Sequence, residues 1–597
     1  MALLLSPMPA ADGHAAQNPT PFERDCGKLA ADKQNDAERL HDLFKLHWDH
    51  TMSEHPELAT EVGWPGYNDR WTDLSPEAVA RRKRERRAPL QVAQSIDRAR
   101  LDPADQLNYD LFRREIEEAI AGDGFPEECL QINQLRGVHL GIADLLKIAP
   151  RRKIKDYEEI LSRLNTAPRL IDQTIDLLSK GVEAGITPPR IALRDVPQQV
   201  QNQIGEDPER NPILQLFADF PAEVPPEERG RLRGDAAEAL QTRLFPAFRK
   251  LHDYLTERYL PAARETIAWG DLPDGKAWYE YNVRRKTTTA MTVGEIHELG
   301  LSEMKRIRRE TEKVIAESGF KGTFEKFLEF MRSDARFYYP DAESLLAAYR
   351  DICKRADPET ARLFGRLPRL PYGVLPVPAY AEKSQPTAYY QAGSPAAGRP
   401  AVFYANIYAL HTRPKWEMEA LSLHEAVPGH HLQIALAQEM EGLPEFRRHY
   451  RSTAYVEGWG LYAESLGDEM GFYQDPFMKF GRLTYEMWRA IRLVVDTGMH
   501  ALGWSRRKAI DCFLANSGKS EHDATVEVDR YIVWPGQALA YKIGQLKIKA
   551  LRESARRELP DRYDVRVFHD RILESGALPL DILERRIQEW IIREKNR

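Results

Sequence analysis

Three histidines and one carboxylate lie close together in the sequence, at His424, Glu425, His430 and His431. Imidazole and carboxylate groups are common zinc ligands. In the frequent H-E-x-x-H pattern, two histidines four residues apart share one helix face, and the glutamate between them is the general base. Here the fourth residue after His424 is Pro428, which cannot bind a metal. The segment therefore indicates a modified zinc site.

A regular helix would not bring a second histidine to His424. With 3.6 residues per turn, His431 would lie about 10 Å along the axis and His430 would point roughly 120° away. Pro428 has no N–H to bond the carbonyl of His424, and Gly429 adds backbone freedom. We therefore expect a widened, π-like turn that makes His430 the second ligand, with His431 as the alternative.

The string HEAVPGHHLQ, which begins at His424, and the string EGWGLYAE, from Glu457 to Glu464, resemble the signature of a bacterial family labelled domain of unknown function 885. That family is similar to the gluzincin zinc metallopeptidases. Among these, thimet oligopeptidases carry H-E-x-G-H and dipeptidyl peptidase III carries H-E-x-x-G-H. The resemblance extends from about residue 40 to the C-terminus and is sharpest between His424 and Tyr541.

A catalytic zinc site usually has three protein ligands, so two histidines leave one ligand to be found. The resemblance puts that ligand at Glu457, 33 residues beyond His424. Gly458 and Gly460 would destabilise an exposed helix, and close approach to the metal helix would explain both glycines. Glu464, one heptad later on the same face, is the alternative ligand or a hydrogen-bond partner of a zinc histidine.

The chemistry expected of such a site is hydrolysis by an activated water. Glu425 would act as general base and then pass its proton to the leaving amine. Tyr531 and Tyr541 are candidates for hydrogen bonding the tetrahedral intermediate, as a downstream tyrosine does in the peptidases that the chain resembles. Arg530 is a candidate for holding a substrate carboxylate through two hydrogen bonds.

A polar stripe interrupts an apolar helical segment at Arg489, Arg492, Asp496 and His500. Spacings of three and four residues put these side chains on one helix face. Such a stripe is either a buried ion network or the wall of a cleft, because the surroundings are too apolar for a solvated face. In the functional interpretation, Arg489 and Arg492 recognise the C-terminal carboxylate of a peptide and His500 donates to the oxyanion.

Apolar residues at helical spacing predict long helices from Asp36 to about residue 270, which we interpret as a scaffold. The Tyr-, Val- and Thr-rich stretch from Tyr279 to Thr289 favours a short extended segment. Thr292 and Glu295 have the spacing of a capping box and predict the start of another helix. Because 597 residues exceed the size of one hydrophobic core, two or more subdomains are expected.

A β-hairpin is predicted just before the histidine segment, from residues 388–391 and 401–404 with a turn-rich stretch between them. In the gluzincins that this chain resembles, an edge strand beside the metal helix binds the substrate backbone by strand addition. Asn406 follows the second strand and is a candidate contact for the peptide. Core packing is the alternative role of this hairpin.

The expected architecture is mainly α: a two-lobed, helical, metallopeptidase-like fold with a small β-sheet next to the metal-binding helix and a deep cleft between the lobes. Residues 1–35 are expected to be a disordered tail or the remnant of a signal peptide. Residues 36–275 would form an N-terminal scaffold lobe, and residues 276–597 the catalytic lobe. A periplasmic or secreted location is favoured over a cytoplasmic one.

The composition excludes several classes of function. With 42% hydrophobic and 29% charged residues, the chain has the composition of an ordinary globular protein. Its net charge of −6 provides no basic excess for nucleic acid. The 4 cysteines show no C-x-x-C spacing, which argues against a thiolate zinc site and against a disulfide framework. No apolar run approaches the ~20 residues that cross a bilayer.

The sequence thus predicts a zinc-dependent peptidase with one zinc ion per chain. Its substrates would be short peptides, cleaved in the manner of an oligopeptidase or a carboxypeptidase. A zinc hydrolase of a non-peptide amide or another small molecule is one alternative. An inactive binding protein is the other, although it would have no need of Glu425. The sequence does not fix the oligomeric state, for which a homodimer is one option.

Overall fold

The computed structural model describes residues 18–205, 208–378, 382, 386–394 and 399–597. In these ranges helices dominate, and short strands form one small sheet. The predicted mainly α fold with a small sheet is therefore confirmed. None of the helices in the described ranges is long and apolar enough to cross a membrane.

The helices of the first half follow one another with short connections, and two π-helical turns, Leu240–Leu244 and Leu255–Tyr259, join α11, α12 and α13 into one rod. In chain order the helices are α1 (Pro21–Ala31), α2 (Asp36–Glu54), α3 (Pro56–Val62), α4 (Pro76–Glu85), α5 (Arg87–Gln94), α6 (Pro103–Gly122), α7 (Val138–Ile148), α8 (Ile154–Glu183), α9 (Arg190–Leu193), α10 (Val196–Ile204), α11 (Pro226–Ala239), α12 (Phe245–Tyr254) and α13 (Leu260–Ala262).

The strands lie between two series of helices in the second half. They are β1 (Tyr372–Pro376), β2 (Ala388–Gln391) and β3 (Ala401–Ala405). The helices are α14 (Gly275–Thr287), α15 (Val293–Glu317), α16 (Phe324–Ser333), α17 (Ala342–Leu363), α18 (Lys415–Glu425), α19 (His430–Gln438), α20 (Glu445–Arg448), α21 (Thr453–Leu466), α22 (Pro476–Ala501), α23 (Arg506–Asn516), α24 (Glu521–Val533), α25 (Ala540–Glu558), α26 (Val565–Leu573) and α27 (Leu580–Lys595).

The chain divides into two compact units. One comprises residues 18–54 and 75–124, and the other comprises residues 55–74 and 125–597. The sequence-predicted boundary at residue 275 lies inside the second unit. Every residue discussed below as part of the candidate site belongs to this second unit.

In the first unit, α1, α2, α5 and α6 pack together around the apolar face of α2 that the spacing of residues predicted. Residues 21–31, predicted to belong to a tail, instead form α1, which begins with a capping box between Thr20 and Glu23 and buries Phe22 and Cys26. The apolar side chains explain the difference, because burying them stabilises the helix against α2 and α5. Residues 1–17 of the predicted tail lie outside the described residues.

The second unit has two hydrophobic clusters. One gathers apolar side chains of α7, α8 and α10–α12, and the other gathers those of α15, α22, α23 and α24. The capping box of Thr292 and Glu295 begins α15, as predicted. The stretch predicted to be extended, Tyr279–Thr289, is instead mostly the end of α14. Its aromatic side chains suit a helix here because Tyr279 is buried and its hydroxyl donates to Asp496 at 2.6 Å.

The sheet has the order β1-β3-β2, with β3 parallel to β1 and antiparallel to β2. The predicted pairing of β2 with β3 is therefore confirmed, while part of the predicted turn, residues 395–398, lies outside the described residues. Because β3 is the central strand, β2 is the edge strand on its side of the sheet. Helix α18 packs against β2, which brings this edge next to the histidine segment.

Candidate metal centre

The histidine segment is a break between two helices. Helix α18 ends at Glu425 and α19 begins at His430, with Ala426 and Gly429 in non-helical conformations between them. We expected a widened, π-like turn within one helix, whereas the structure has a break between two helices. One hydrogen bond across this break, from the His431 N–H to the Ala426 carbonyl at 3.1 Å, does have the five-residue span of a π turn. A Cβ on Gly429 would collide with the carbonyl of His424, so this sharp turn requires glycine.

This break brings His430 next to His424. The two imidazole rings lie 4.6 Å apart between centroids and are nearly perpendicular, at 86°. The carboxylate Oε2 of Glu457, on α21, lies 3.8 Å from Nε2 of His424 and 3.7 Å from Nε2 of His430. One ligand atom from each of the three residues lies within 4.8 Å of the other two. Two imidazoles and one carboxylate that face one another in this way match the donor set of catalytic zinc sites.

The Nδ1 side of the His424 ring, which faces away from Glu457, is fixed by a hydrogen bond. Its Nδ1 lies 2.8 Å from Oε1 of Glu464, which is buried one turn of α21 beyond Gly460. Arg489 on α22 approaches the same carboxylate oxygen at 3.4 Å. A hydrogen bond at Nδ1 leaves Nε2 free to bind a metal and fixes the orientation of the ring. Glu464 thus occupies the place of a hydrogen-bond partner, the second of the two roles expected for it.

The two glycines of α21 have different neighbours. A Cβ on Gly460 would lie 2.7 Å from Cε1 of His424, so close approach to the metal helix explains this glycine as predicted. A Cβ on Gly458 would instead collide with the backbone of Gly544 on α25. Helix α21 therefore lies between the helix of His424 and the beginning of α25.

The protonation states of the ligand groups follow from their surroundings. Burial opposes ionisation of Glu457, but the hydrogen bond to His424 and the charges of His424, His430 and Arg530 outweigh it and lower the pKa of Glu457 to about 2. Burial, followed by the charge of His424, lowers the pKa of His430 to about 4. Glu457 is therefore anionic and His430 is neutral at neutral pH. Burial opposes protonation of His424, but its hydrogen bonds to Glu457 and Glu464 outweigh burial and raise its pKa to about 9, so this ring has to release a proton when a metal binds.

Glu425 is the last residue of α18 and retains some solvent exposure. Burial of its carboxyl raises the pKa to about 7, and the nearby charge of His424 acts in the opposite direction. A hydrogen bond from the backbone of Tyr390, on the edge strand β2, also stabilises the carboxylate form. A carboxyl group with a pKa near neutrality can both accept and release a proton, which is what a general base in hydrolysis does.

The sequence matches, over residues 56–587, a family described as bacterial protein of unknown function (DUF885). The chain belongs to this family. The DUF885 chain is also similar to two solved structures. The first is "the putative lipoprotein from Colwellia psychrerythraea", with 26% identity, a TM-score of 0.89 and coverage of 94% of this chain and 100% of that one. No curated protein matches the sequence.

The second solved structure is "a putative lipoprotein of unknown function from Shewanella oneidensis". It is 15% identical, with a TM-score of 0.71 and coverage of 92% of this DUF885 chain and 99% of that one. At this identity the likeness shows a common fold. Both matches cover nearly all of each chain, so the fold described above is shared along the length of these proteins.

The alternative ligand His431 lies apart from the three ligand groups of the DUF885 site. Its Nδ1 is 3.1 Å from the hydroxyl of Tyr390, and its ring packs on Tyr372 at 4.5 Å between centroids. It follows His430, the first residue of α19, so its ring points to a different side of the helix. The structure therefore brings His430, and not His431, to His424 and Glu457.

Two of the residues predicted to donate to the oxyanion, Tyr531 and His500, form hydrogen bonds with other groups of the protein. The hydroxyl of Tyr531 donates to Glu527 at 2.6 Å and accepts from Arg492 at 2.8 Å, so its single proton is used. His500 accepts from the backbone N–H of Trp269 through Nδ1, at 3.2 Å, and its Nε2 lies 3.0 Å from the carbonyl of Tyr531. The protons of Tyr531 and His500 are both donated to acceptors within the protein, so the geometry does not support the oxyanion role expected of these two residues.

Asn406 is fully buried in the DUF885 fold and cannot contact a peptide. Its amide nitrogen donates to the carbonyls of Glu382 and Pro386, at 2.7 and 3.1 Å, and its oxygen accepts from the N–H of Tyr408. The predicted substrate contact is wrong, and the side chain instead holds together the loops on either side of the sheet. The sequence did not reveal this structural role because the acceptors of the Asn406 amide are backbone carbonyls 24 and 20 residues away.

The remaining predicted residues converge on the ring of Tyr541, in the first turn of α25. The guanidinium carbons of Arg492 and Arg489 lie 4.4 and 6.0 Å from the ring centroid, and Nη2 of Arg530 lies 3.4 Å from the hydroxyl. Two further residues of this cluster were not predicted from the sequence. One is Gln537, whose Oε1 accepts from Arg530 at 2.7 Å. The other is Glu527, although it stands four positions before Tyr531, at helical spacing.

Proposed function

We propose that this protein is a zinc-dependent peptidase that hydrolyses short peptides. The observation that carries the proposal is the convergence of Nε2 of His424, Nε2 of His430 and the carboxylate of Glu457, with Glu425 next to His424 in the chain. The similarity of the motif to that of the gluzincins supports the same function.

The three side chains fit a zinc ion by the chemistry of their donor atoms. A zinc ion held there would act as a Lewis acid and make water a usable nucleophile at neutral pH. Glu464 accepts from Nδ1 of His424 and so keeps Nε2 of that ring directed at the site. Arg489 in turn holds Glu464 through an ion pair at 3.4 Å. The orientation of His424 thus depends on a chain of buried contacts that reaches α22.

Glu425 would carry the proton during hydrolysis. Its carboxylate takes a proton from water as the water attacks the carbonyl carbon, and it then delivers that proton to the amine nitrogen as the C–N bond breaks. Its pKa near 7 suits both steps. The products are a new carboxylic acid and a free amine, so the carboxylate of Glu425 returns to its starting state.

The substrate would lie between the edge strand β2 and the ring of Tyr541. The backbone of Tyr390 on β2 already contacts Glu425, so a peptide that adds to this edge would run past the general base. The hydroxyl of Tyr541 accepts from Arg530 and from the amide nitrogen of Gln537, and its own proton has no acceptor among the described residues. We therefore retain Tyr541 as the group that donates to the oxyanion, a role no longer open to Tyr531 or His500.

A location outside the cytoplasm is part of this proposal. Its support is the description of both similar structures as lipoproteins.

The test of this function combines metal analysis with peptide profiling. The purified protein, prepared without metal-affinity resin, is expected to hold one zinc ion per chain and to cleave members of a library of short peptides. The Glu425→Gln variant should keep its zinc and lose at least ~10³-fold in kcat/KM, because the proton acceptor is gone. Peptide cleavage by this variant at the normal rate would overturn the mechanism.

The two neighbouring histidines provide a matched control. His430→Ala is expected to lose zinc, whereas His431→Ala, which changes the next residue, should retain it. Loss of zinc from His431→Ala, with zinc retained in His430→Ala, would make His431 the ligand in place of His430. Zinc binding without cleavage of any peptide, but with hydrolysis of a non-peptide amide, would favour the small-molecule hydrolase. A protein that binds no zinc would favour the inactive binding protein.

A further inference from the structure

Three arginines surround Tyr541, and we call Arg489, Arg492, Arg530 and Tyr541 the arginine wall. Arg489 and Arg492 come from adjacent turns of α22, Arg530 comes from α24, and Tyr541 lies in the first turn of α25. The two guanidinium groups of α22 lie within 6.0 Å of the tyrosine ring centroid, while Arg530 reaches the hydroxyl. Three separate helices thus direct positive charge at one aromatic ring.

The arginine wall has fewer acidic partners than arginines. Glu527 serves two of them, with Oε2 at 3.0 Å from Nη2 of Arg492 and 3.6 Å from Nη1 of Arg530. Glu464, which contacts Arg489 at 3.4 Å, is also the partner of His424. Two carboxylates therefore contact three guanidinium groups. Glu527 is shared between two arginines, and Glu464 is shared between Arg489 and His424.

Two buried N–H groups of the wall have no hydrogen-bond partner in the described part of the chain. They are Nη1 of Arg492 and Nε of Arg489, and both arginines are more than nine-tenths buried. A buried donor that belongs to a charged group is costly to leave without an acceptor. Oε2 of Glu464, on the carboxylate that contacts Arg489, is also without a partner in the described part of the chain and can serve that arginine. Nη1 of Arg492 is therefore the donor for which an anionic ligand would supply an acceptor.

The arginine wall flanks the metal centre. Arg489 contacts Glu464, which holds His424, so one buried chain of contacts leads from the wall to the metal ligand. On the other side, α25 crosses α21 where Gly544 meets Gly458, the neighbour of Glu457. An anion bound at the wall would therefore lie close to the residues that hold the metal ligands.

We propose that the arginine wall binds the C-terminal carboxylate of a peptide, so that the enzyme removes residues from the C-terminus. This inference rests on the peptidase function proposed above. Arg530, whose side chain is 22% exposed, meets the carboxylate first, and Nη1 of Arg492 supplies a second donor. Water adds to the last peptide carbonyl and the C–N bond breaks, which yields a shortened peptide acid and a free amino acid.

The same guanidinium groups would also bind an acidic side chain within a peptide, because the ligand chemistry is identical. Two comparisons distinguish a C-terminal carboxylate from an acidic side chain as the group that the wall binds. Acetylated tripeptides with each of the twenty residues in the last position are prepared as free acids and as C-terminal amides. A second series of amides carries Glu or Gln at the middle position. Binding to the zinc-loaded Glu425→Gln variant is measured by calorimetry, so that hydrolysis does not interfere.

The free acids are expected to bind at least tenfold more tightly than the matching amides. Adding Arg530→Gln to the Glu425→Gln variant should abolish this preference. Adding Arg530→Lys, which keeps the charge but loses the planar fork, should reduce it. The matched control is Arg507→Gln, which neutralises an exposed arginine paired with Asp511 and Glu521 on the surface and should leave the preference intact.

Equal binding of acids and amides, or no binding of any acid, would overturn the proposal. A preference for Glu over Gln in the amide series without a preference for acids would assign the wall to an acidic side chain and overturn it as well. Hydrolysis is measured separately with the wild-type enzyme. Tight binding of acids without their hydrolysis would reject the peptidase function and leave the carboxylate site standing, so the two failures are distinguishable.

Discussion

Oε1 of Glu464 lies 2.8 Å from Nδ1 of His424, on the side of the ring away from Glu457. This contact gives a first prediction. Glu464→Gln keeps an acceptor but removes the charge, so zinc affinity should fall about tenfold or more. The zinc affinity is measured by competition with a chromophoric chelator. Glu469→Gln, which removes a carboxylate paired with Arg552 shortly after α21, is the control and should leave zinc affinity unchanged.

Gly460 leaves the space that the His424 ring occupies. In Gly460→Ala the new methyl group would lie 2.7 Å from Cε1 and 2.8 Å from Nε2 of that ring, so the imidazole has to move. We expect zinc affinity to fall by at least tenfold, as measured by metal content after dialysis against chelator. The control is Gly294→Ala in the first turn of α15, where a Cβ meets open space. Unchanged zinc content in the Gly460 variant would contradict the close contact.

The buried carboxyl of Asp496 makes stability depend on pH. Burial raises its pKa to about 7, although it accepts from the hydroxyl of Tyr279 and the N–H of Gly536. In the unfolded chain its pKa is about 3.9. The folded state therefore binds the extra proton, and the stabilisation is fully present below about pH 4 and is lost as the pH rises to about 7.

The variant Asp496→Asn mimics the neutral form and should lack this dependence. Its free energy of unfolding, relative to the wild type, should therefore rise by a few kcal/mol between about pH 4 and 7 and level off above that range. Denaturant-induced unfolding at several pH values measures the difference. A difference that stays constant over this range would show that Asp496 titrates normally in the folded protein.

Asn406 is expected to matter for stability and not for substrate. Asn406→Ala leaves the carbonyls of Glu382 and Pro386 without this donor, so the free energy of unfolding should fall by about 1–3 kcal/mol. Peptide affinity in the Glu425→Gln background should stay within a factor of two. A large loss of peptide affinity in a stably folded variant would restore the substrate role expected from the sequence.

Much of the helical architecture could be predicted from local patterns. The apolar face of α2 and the capping box at Thr292 depend on residues three or four apart, and local rules describe such pairs well. The stretch from Tyr279 to Thr289 misled the prediction because its aromatic residues favour strands in general. In this protein their partners are distant, as in the bond between Tyr279 and Asp496, 217 residues apart.

The sequence alone determined which chemistry was available: the imidazoles and carboxylates around His424, the proline and glycine that interrupt the helix after it, and the distant EGWGLYAE string. Only the tertiary structure decided which groups meet. It brought His430 to Glu457, turned His431 toward Tyr390, and used the proton of Tyr531 on Glu527. The physical reason is that ligand geometry and hydrogen-bond partners depend on how separate helices pack, and spacing within one helix does not specify that packing.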